Sequence, residues 1–157
     1  MNKIFDRFSA GIVLSELAPD MWHKQGKTYQ ALKQAVNQSI FRAFLILDVP
    51  FEKERNEIAQ LVNENKLSLC YCLTGAIETE SIELGSLNEQ YRLWSIKQVC
   101  EHLMRASQTG ATSLQIISEQ ANPQINLRKQ QLKALEKSLF SIAEFASDKN
   151  IEIVIEQ

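Results

Sequence analysis

The sequence predicts an α/β fold in which parallel strands alternate with helices, as in the first half of a βα barrel. Three observations predict it. Short apolar runs alternate with amphipathic stretches of about 12 residues or more, the pattern of βαβ crossovers and hence of parallel strands. The third run sets Leu67, Leu69, Tyr71 and Leu73 opposite Ser68, Cys70 and Cys72, and the fifth sets Ile151, Ile153 and Ile155 opposite Glu152, Val154 and Glu156. A flat doubly wound sheet buries both faces of its central strands, so one apolar face and one smaller, more polar face fits a barrel wall.

The elements follow in order. Ala10 to Ser15 is a short apolar run and the expected first strand. Thr28 to Ser39 follows as a helix, with Tyr29, Leu32 and Val36 on one face. Phe41 to Leu47 is the second strand, closed by Asp48-Val49-Pro50, where the proline discourages further pairing. A charged helix over 52–65 buries Ile58, Leu61 and Val62. Leu67 to Leu73 is the third strand, and the polar stretch holding Gly75 and Gly85 reads as a loop. Ser86 and Glu89 match a capping box at the head of the third long helix. Leu93, Ile96, Val99, Leu103 and Ala106 recur along that helix at helical spacing, and Gly110 ends it. Thr112 to Ser118 is the fourth strand. Leu132, Leu135, Leu139, Ile142 and Ala146 stripe the last helix, a run too short for a coiled coil. Lys149-Asn150 breaks it before the fifth strand, Ile151 to Glu156.

Composition narrows the function. At 157 residues the chain makes one α/β domain, 1–157, with a real core and no room for a second. The 17 Lys and Arg are scattered among 19 acids for a net charge of -2, which argues against nucleic acid as a partner. No apolar run approaches the roughly 20 residues that span a bilayer, and the N-terminus lacks the apolar region of a signal peptide. Cys70, Cys72 and Cys100 form no disulfide framework, so a reducing, cytoplasmic setting is expected, with small buried thiols that share a strand face at 70 and 72. Five unclustered glycines make a dinucleotide or triphosphate cradle improbable.

The acids and histidines carry the remaining chemistry. Periodicity points Glu156 inward at a strand end. A carboxylate buried there must be paired, protonated or metal-bound; otherwise it is a strand-end acid reaching solvent or a lysine. Glu16, Asp48 and Glu119 sit at or just after other strand ends, on the rim where barrel sites form, although strand-end loops are polar in any case. Trp22 and His23 follow the first strand, with Trp22 a packing residue or a sugar-stacking one and His23 a possible ligand contact. His102, mid-helix, reads as a surface or half-buried residue.

Gly85-Ser86-Leu87-Asn88-Glu89 opening a long helix and Gly110-Ala111 before a strand resemble the sugar-phosphate isomerase/epimerase family. So does Ser147-Asp148-Lys149-Asn150 leading into Ile151-Glu152-Ile153-Val154-Ile155-Glu156-Gln157. These are the xylose-isomerase-like TIM (β/α)8 barrels that also include endonuclease IV. The resemblance implies that about the first five strands are present, a partial barrel incomplete at its C-terminus. It implies that Glu156 binds a divalent metal (Mn, Mg, Co or Zn) and moves the substrate proton next to a carbonyl. The other ligands come from the sixth to eighth strands. Many members place a histidine where Ile116-Ile117-Ser118-Glu119 stands here, which argues against an endonuclease-like multinuclear site, and Gln157 replaces the usual asparagine. The expected function is thus a metal-dependent isomerase or epimerase of a sugar or sugar phosphate, with Trp22, His23, Asp48 and Glu119 as substrate-binding candidates. The alternative is a non-catalytic half barrel that forms a homo-oligomer or is completed by a partner chain.

Overall fold

In the computed structural model, residues 10–19, 26–38, 41–117 and 121–156 are described. Five strands form one sheet: β1 Gly11–Val13, β2 Ala43–Ile46, β3 Ser68–Cys72, β4 Ser113–Ile117 and β5 Glu152–Glu156. They lie in the order β1-β2-β3-β4-β5, each parallel to the next. Between them run α1 Leu14–Leu17, α2 Lys27–Gln38, α3 Glu52–Asn65, α4 Thr74–Thr79, α5 Glu89–Gln108 and α6 Ile125–Ser147. Crossovers between parallel strands are right-handed, so when each strand is laid down beside the previous one in the same direction, every helix lands on one face. Accordingly α2, α3, α5 and α6 touch one another in that order along the outside of the sheet. This is the wall of a partial TIM-type barrel.

The alternation in the sequence becomes two faces. Outward, Phe44, Ile46, Leu69, Tyr71, Leu114 and Ile116 are buried beneath the helices, which contribute Leu32, Ile58, Val99, Leu103, Ile142 and Ala146. Inward, the register lines up Val13, Leu45, Cys70, Ser113 and Glu152 in one row across all five strands. Gly11 belongs to this wall for a steric reason: a Cβ there would meet the Ala43 Cβ at 3.2 Å. Glu54, only 3% exposed, accepts from the Gly26 and Tyr29 amides at 2.7 and 2.9 Å, a carboxylate from α3 closing the N-terminus of α2. No helix among the described residues is long and apolar enough to cross a membrane.

Several local expectations change. The first strand ends at Val13, because Leu14 turns its fully buried side chain into the core and starts α1, with the Ala18 amide bonded to the Leu14 carbonyl. Glu16 therefore sits in a helical turn and not at a strand end. The stretch read as a loop contains α4. Six residues are too few to display a helical period and Gly75 weakens the propensity, yet burial of Ala76 and Ile77 holds the turn. The capping box does not form: Asn88 is the cap and accepts from the Tyr91 amide, while Glu89 pairs with Arg92 at 2.6 Å. Both apolar stripes are exposed at their first residues, Leu93 at 53% and Leu132 at 58%. A strand of five residues spans about 17 Å and a helix of 20 about 30 Å, so α5 and α6 overhang the sheet.

The overhang makes a stability prediction within one sequence pattern. Leu103→Ala, at a fully buried position, is expected to cost about 2–5 kcal/mol in urea unfolding. Leu132→Ala, equally periodic but exposed, is expected to stay within about 0.5 kcal/mol of the parent.

Candidate functional site

Glu156 closes β5. Its pairing with Ile117, two positions beyond the Gln115–Val154 pair, puts it on the inner face, where the Gln115 side-chain amide donates to its Oε2. The carboxylate is exposed, as are Glu152 and Val154 on the same face. Of the two readings of this residue, buried and paired or reaching solvent from the strand end, the exposure is that of the second. The five strands leave the concave face open, so the charge keeps its water and no desolvation penalty demands a counter-ion. Among the described residues no group of three or more His, Cys, Asp or Glu is placed to hold a metal ion. Glu156 alone is too few ligands for a divalent-metal site. The described residues thus do not by themselves fit the metal that the resemblance implies.

A second polar cluster occupies the rim at the ends of β2 and β3. Asp48 continues the alternation of Phe44 and Ile46 and so turns toward the helices. Its Oδ1 accepts from the Tyr71 hydroxyl at 2.6 Å, and Arg105 Nη1 lies 3.2 Å from both of its oxygens. His102 Nδ1 also lies 3.2 Å from Asp48 Oδ1. His102 and Arg105 are three apart on α5, which puts both on the face turned to Asp48. The other ring nitrogen, Nε2, lies 3.2 Å from both oxygens of Glu80 at the end of α4. Tyr71 Oη in turn accepts from the Val49 amide at 2.8 Å. Arg55, 8% exposed, grips the carbonyls of Val49 and Pro50 at 2.9 and 2.6 Å. The loop after β2 is therefore held from β3, α3 and α5 at once.

The electrostatics follow from this geometry. Either neutral tautomer of His102 would turn an unprotonated nitrogen toward a carboxylate, so the imidazolium is favoured. Burial pulls the His102 pKa down, but the hydrogen bonds and charges of Asp48 and Glu80 outweigh it and raise it. Burial likewise pushes Asp48 up, yet the hydrogen bonds from His102 and Tyr71 and the charges of His102 and Arg105 hold it at about 2. Two carboxylates against two cations leave the cluster neutral. Beside it, a cleft of about 280 Å³ opens between the rim and α4, with Leu47, Pro50, Cys72, Ala76, Glu80 and Arg105 on its walls.

Of the sequence candidates, Asp48 lies in this cluster and Glu156 on the inner face at β5, while Trp22, His23 and Glu119 fall outside the described residues. The three cysteines are free thiols, with Cys72 buried and Cys70 and Cys100 half-buried. His102 is the main correction. It is 2% exposed and bridges two acids, where a surface or half-buried residue was expected. Glu80, Tyr71 and Arg105 were not singled out. A signal existed for the histidine, since 99, 102, 103 and 106 form one continuous helical stripe, but its partners come from two distant elements.

A family model for the xylose isomerase-like TIM barrel matches residues 25–157. No curated protein matches the chain in sequence. Among solved structures, the fold is similar to a D-tagatose 3-epimerase-like protein, with a TM-score of 0.71 and 13% identity over 96% of this chain and 53% of that one. It is also similar to D-psicose 3-epimerase from Clostridium cellulolyticum H10, with a TM-score of 0.67 and 12% identity over 93% of this chain and 51% of that one. For 3-keto-D-glucoside 4-epimerase from E. coli the TM-score is 0.56 and the identity 14%, over 82% and 49%. At such identities the likeness is one of fold, and the chain spans about half the length of the structures it matches.

The ionic cluster makes stability depend on pH from both sides. The Asp48 contribution is complete above the unfolded aspartate pKa of about 3.9 and is lost as the pH falls toward 2. The His102 contribution is complete below about 6.5 and is lost as the pH rises through its raised pKa. Urea midpoints are expected to be highest between about pH 4 and 6.5 and to decline on either side. In His102→Gln the decline above pH 6.5 is expected to flatten.

Proposed function

The chain belongs to the xylose isomerase-like TIM barrel family, and on that footing we propose that it carries the proton-transfer chemistry of a sugar isomerase or epimerase, with Glu156 as the base. The observation that carries the reading is the position of this carboxylate. It stands at the C-terminal end of an inner-facing strand position, on the rim where βα-barrel enzymes place their reacting groups. Gln115 donates to one of its oxygens, and the carboxylate is exposed.

In this reading Glu156 removes a proton from the carbon next to a substrate carbonyl. The C–H electron pair moves into the carbon–carbon bond and the carbonyl oxygen becomes an enolate. Glu156 reaches one face only, so a proton given to the same carbon by water on the other face yields the epimer. Return of the proton to the former carbonyl carbon, with the adjacent hydroxyl passing its proton to the enolate oxygen as it becomes the new carbonyl, yields the isomer. A divalent cation, Mn, Mg, Co or Zn, would find one carboxylate ligand in Glu156. The described residues offer no set of three ligands, and in this reading the proton step falls to the glutamate itself. Asp48, which the cluster anchors beside the cleft, would act by shaping the sugar pocket, and Trp22, His23 and Glu119 remain proposed substrate contacts.

Incubation with a ketohexose in deuterium oxide tests the proposal. Deuterium is expected to enter at the carbon adjacent to the carbonyl, as read by NMR. Glu156→Gln, an exposed and nearly isosteric change, is expected to slow this about 10²–10⁴-fold while the protein stays folded. Exchange unaffected by that variant would remove the role.

A second reading, an assembly module, is favoured by the exposure of Val154 at 44% and Ile155 at 49% on the outermost strand of the described sheet. It predicts a light-scattering mass that rises with concentration, and a strict monomer at high concentration would count against it.

A further inference from the structure

We infer that the outer face of α6 is a docking surface for a second copy of this chain, with the two helices packed antiparallel about a two-fold axis between Glu136 and Lys137. Docking here depends neither on the role of Glu156 nor on the exposed edge of β5.

The face carries a self-complementary pattern. At 3.6 residues per turn, Lys129, Lys133, Glu136, Lys137, Phe140 and Glu144 fall within an arc of about 100° on α6. All six are exposed, and the buried Ser138, Ile142 and Ala146 lie on the opposite side. Their spacings along the chain, 4, 3, 1, 3 and 4, read the same from either end. A two-fold contact requires that one residue meet a second while the second meets the first. Antiparallel helices centred between 136 and 137 do this with unlike partners in every pair. Lys129 meets Glu144, Glu136 meets Lys137, and Lys133 meets Phe140.

Within one chain the same residues are poorly matched. Lys129, Lys133 and Lys137 follow at four-residue spacing, which sets like charges side by side along the helix. Among the described residues, no ion pair engages Lys129, Lys133, Glu136 or Glu144. Lys137 feels the charge of Glu89 on α5, which is itself paired with Arg92. Phe140 stands among these charges at 67% exposure. A second copy supplies an opposite charge for each end of the arc. It also lays the Lys133 stem along the Phe140 ring, with the ammonium drawn to the ring face.

The mixture of signs selects the partner. A lipid surface or a nucleic acid would be drawn to the three lysines but opposed by Glu136 and Glu144 in the same arc, whereas a second copy answers both signs. The arc also points away from the groove that Ala143, Ala146, Ile151 and Ile153 form between α6 and β5. A single helix pair is a small interface, so the dimer is expected to be weak and salt-sensitive.

Sedimentation equilibrium on the whole chain tests the inference. The mass is expected to rise from one chain to two, and no further, as the protein is concentrated into the millimolar range. Lys129→Glu and Glu144→Lys are each expected to weaken association about ten-fold, because each sets like charges against each other at both ends of the arc. An equimolar mixture of these two variants is expected to regain the parental affinity, since positions 129 and 144 are again unlike across the pair. A merely structural role would not give recovery on mixing. Phe140→Ser, an exposed change, is expected to weaken the dimer while leaving the urea midpoint of the monomer unchanged. A monomer at every concentration, a dimer indifferent to the charge reversals, or growth beyond two chains would overturn the inference. Association abolished by Val154→Lys and untouched by the α6 variants would place assembly at β5 and overturn it equally.

Discussion

The rest of the structure depends on one constraint: five parallel strands laid down in sequential order, each crossover turning the same way. That order leaves the helices one face to cover. The covered face receives Phe44, Leu69, Tyr71, Leu114 and Ile116 and becomes the core. The other face receives Ser68, Cys70, Cys72, Ser113 and Gln115 and is free to carry chemistry. A switch in strand order would have sent helices to both sides and buried the row that now ends at Glu156.

The same constraint explains why charge is handled differently on the two sides. On the helix side, His102 is taken out of water and Asp48 is half-buried, and removing either partner would leave an expensive unpaired charge. The fold answers with a closed set: Tyr71 from β3, His102 and Arg105 from α5, and Glu80 from the end of α4. The gain is positional, because the loop after β2 and the short α4 are tied to one point at the rim. On the concave side Glu156 is left exposed, and among the described residues the Gln115 amide holds one of its oxygens. That freedom suits the proton exchange proposed for Glu156, whereas the rim cluster serves as a rigid support.

How much was legible in the sequence varies with how far apart the cooperating residues lie. The helix over 52–65 agrees residue for residue, because Ile58, Leu61 and Val62 recur within two turns and periodicity is a local property. The faces of β3 and β5 were readable from alternation alone. Within the candidate site, the strand-end positions of Asp48 and Glu156 were visible, but their surroundings were not. Asp48 is tied to residues 23, 54 and 57 positions away, and spacing carries no information at that range. The α4 helix was missed because its stability comes from the burial of Ala76 and Ile77 and not from propensity.

The sequence by itself determined the alternation of strand and helix, the parallel class of the sheet, and which face of each strand is apolar. These depend on residues a few positions apart, whose directions are set by the backbone repeat. The tertiary structure decided that His102 is a buried bridge and that Glu156 stays in water. It also decided that Glu80 and Arg105 border the same cleft. Burial and charge pairing arise from elements brought together across the fold, and their desolvation and Coulomb energies do not exist until those elements meet.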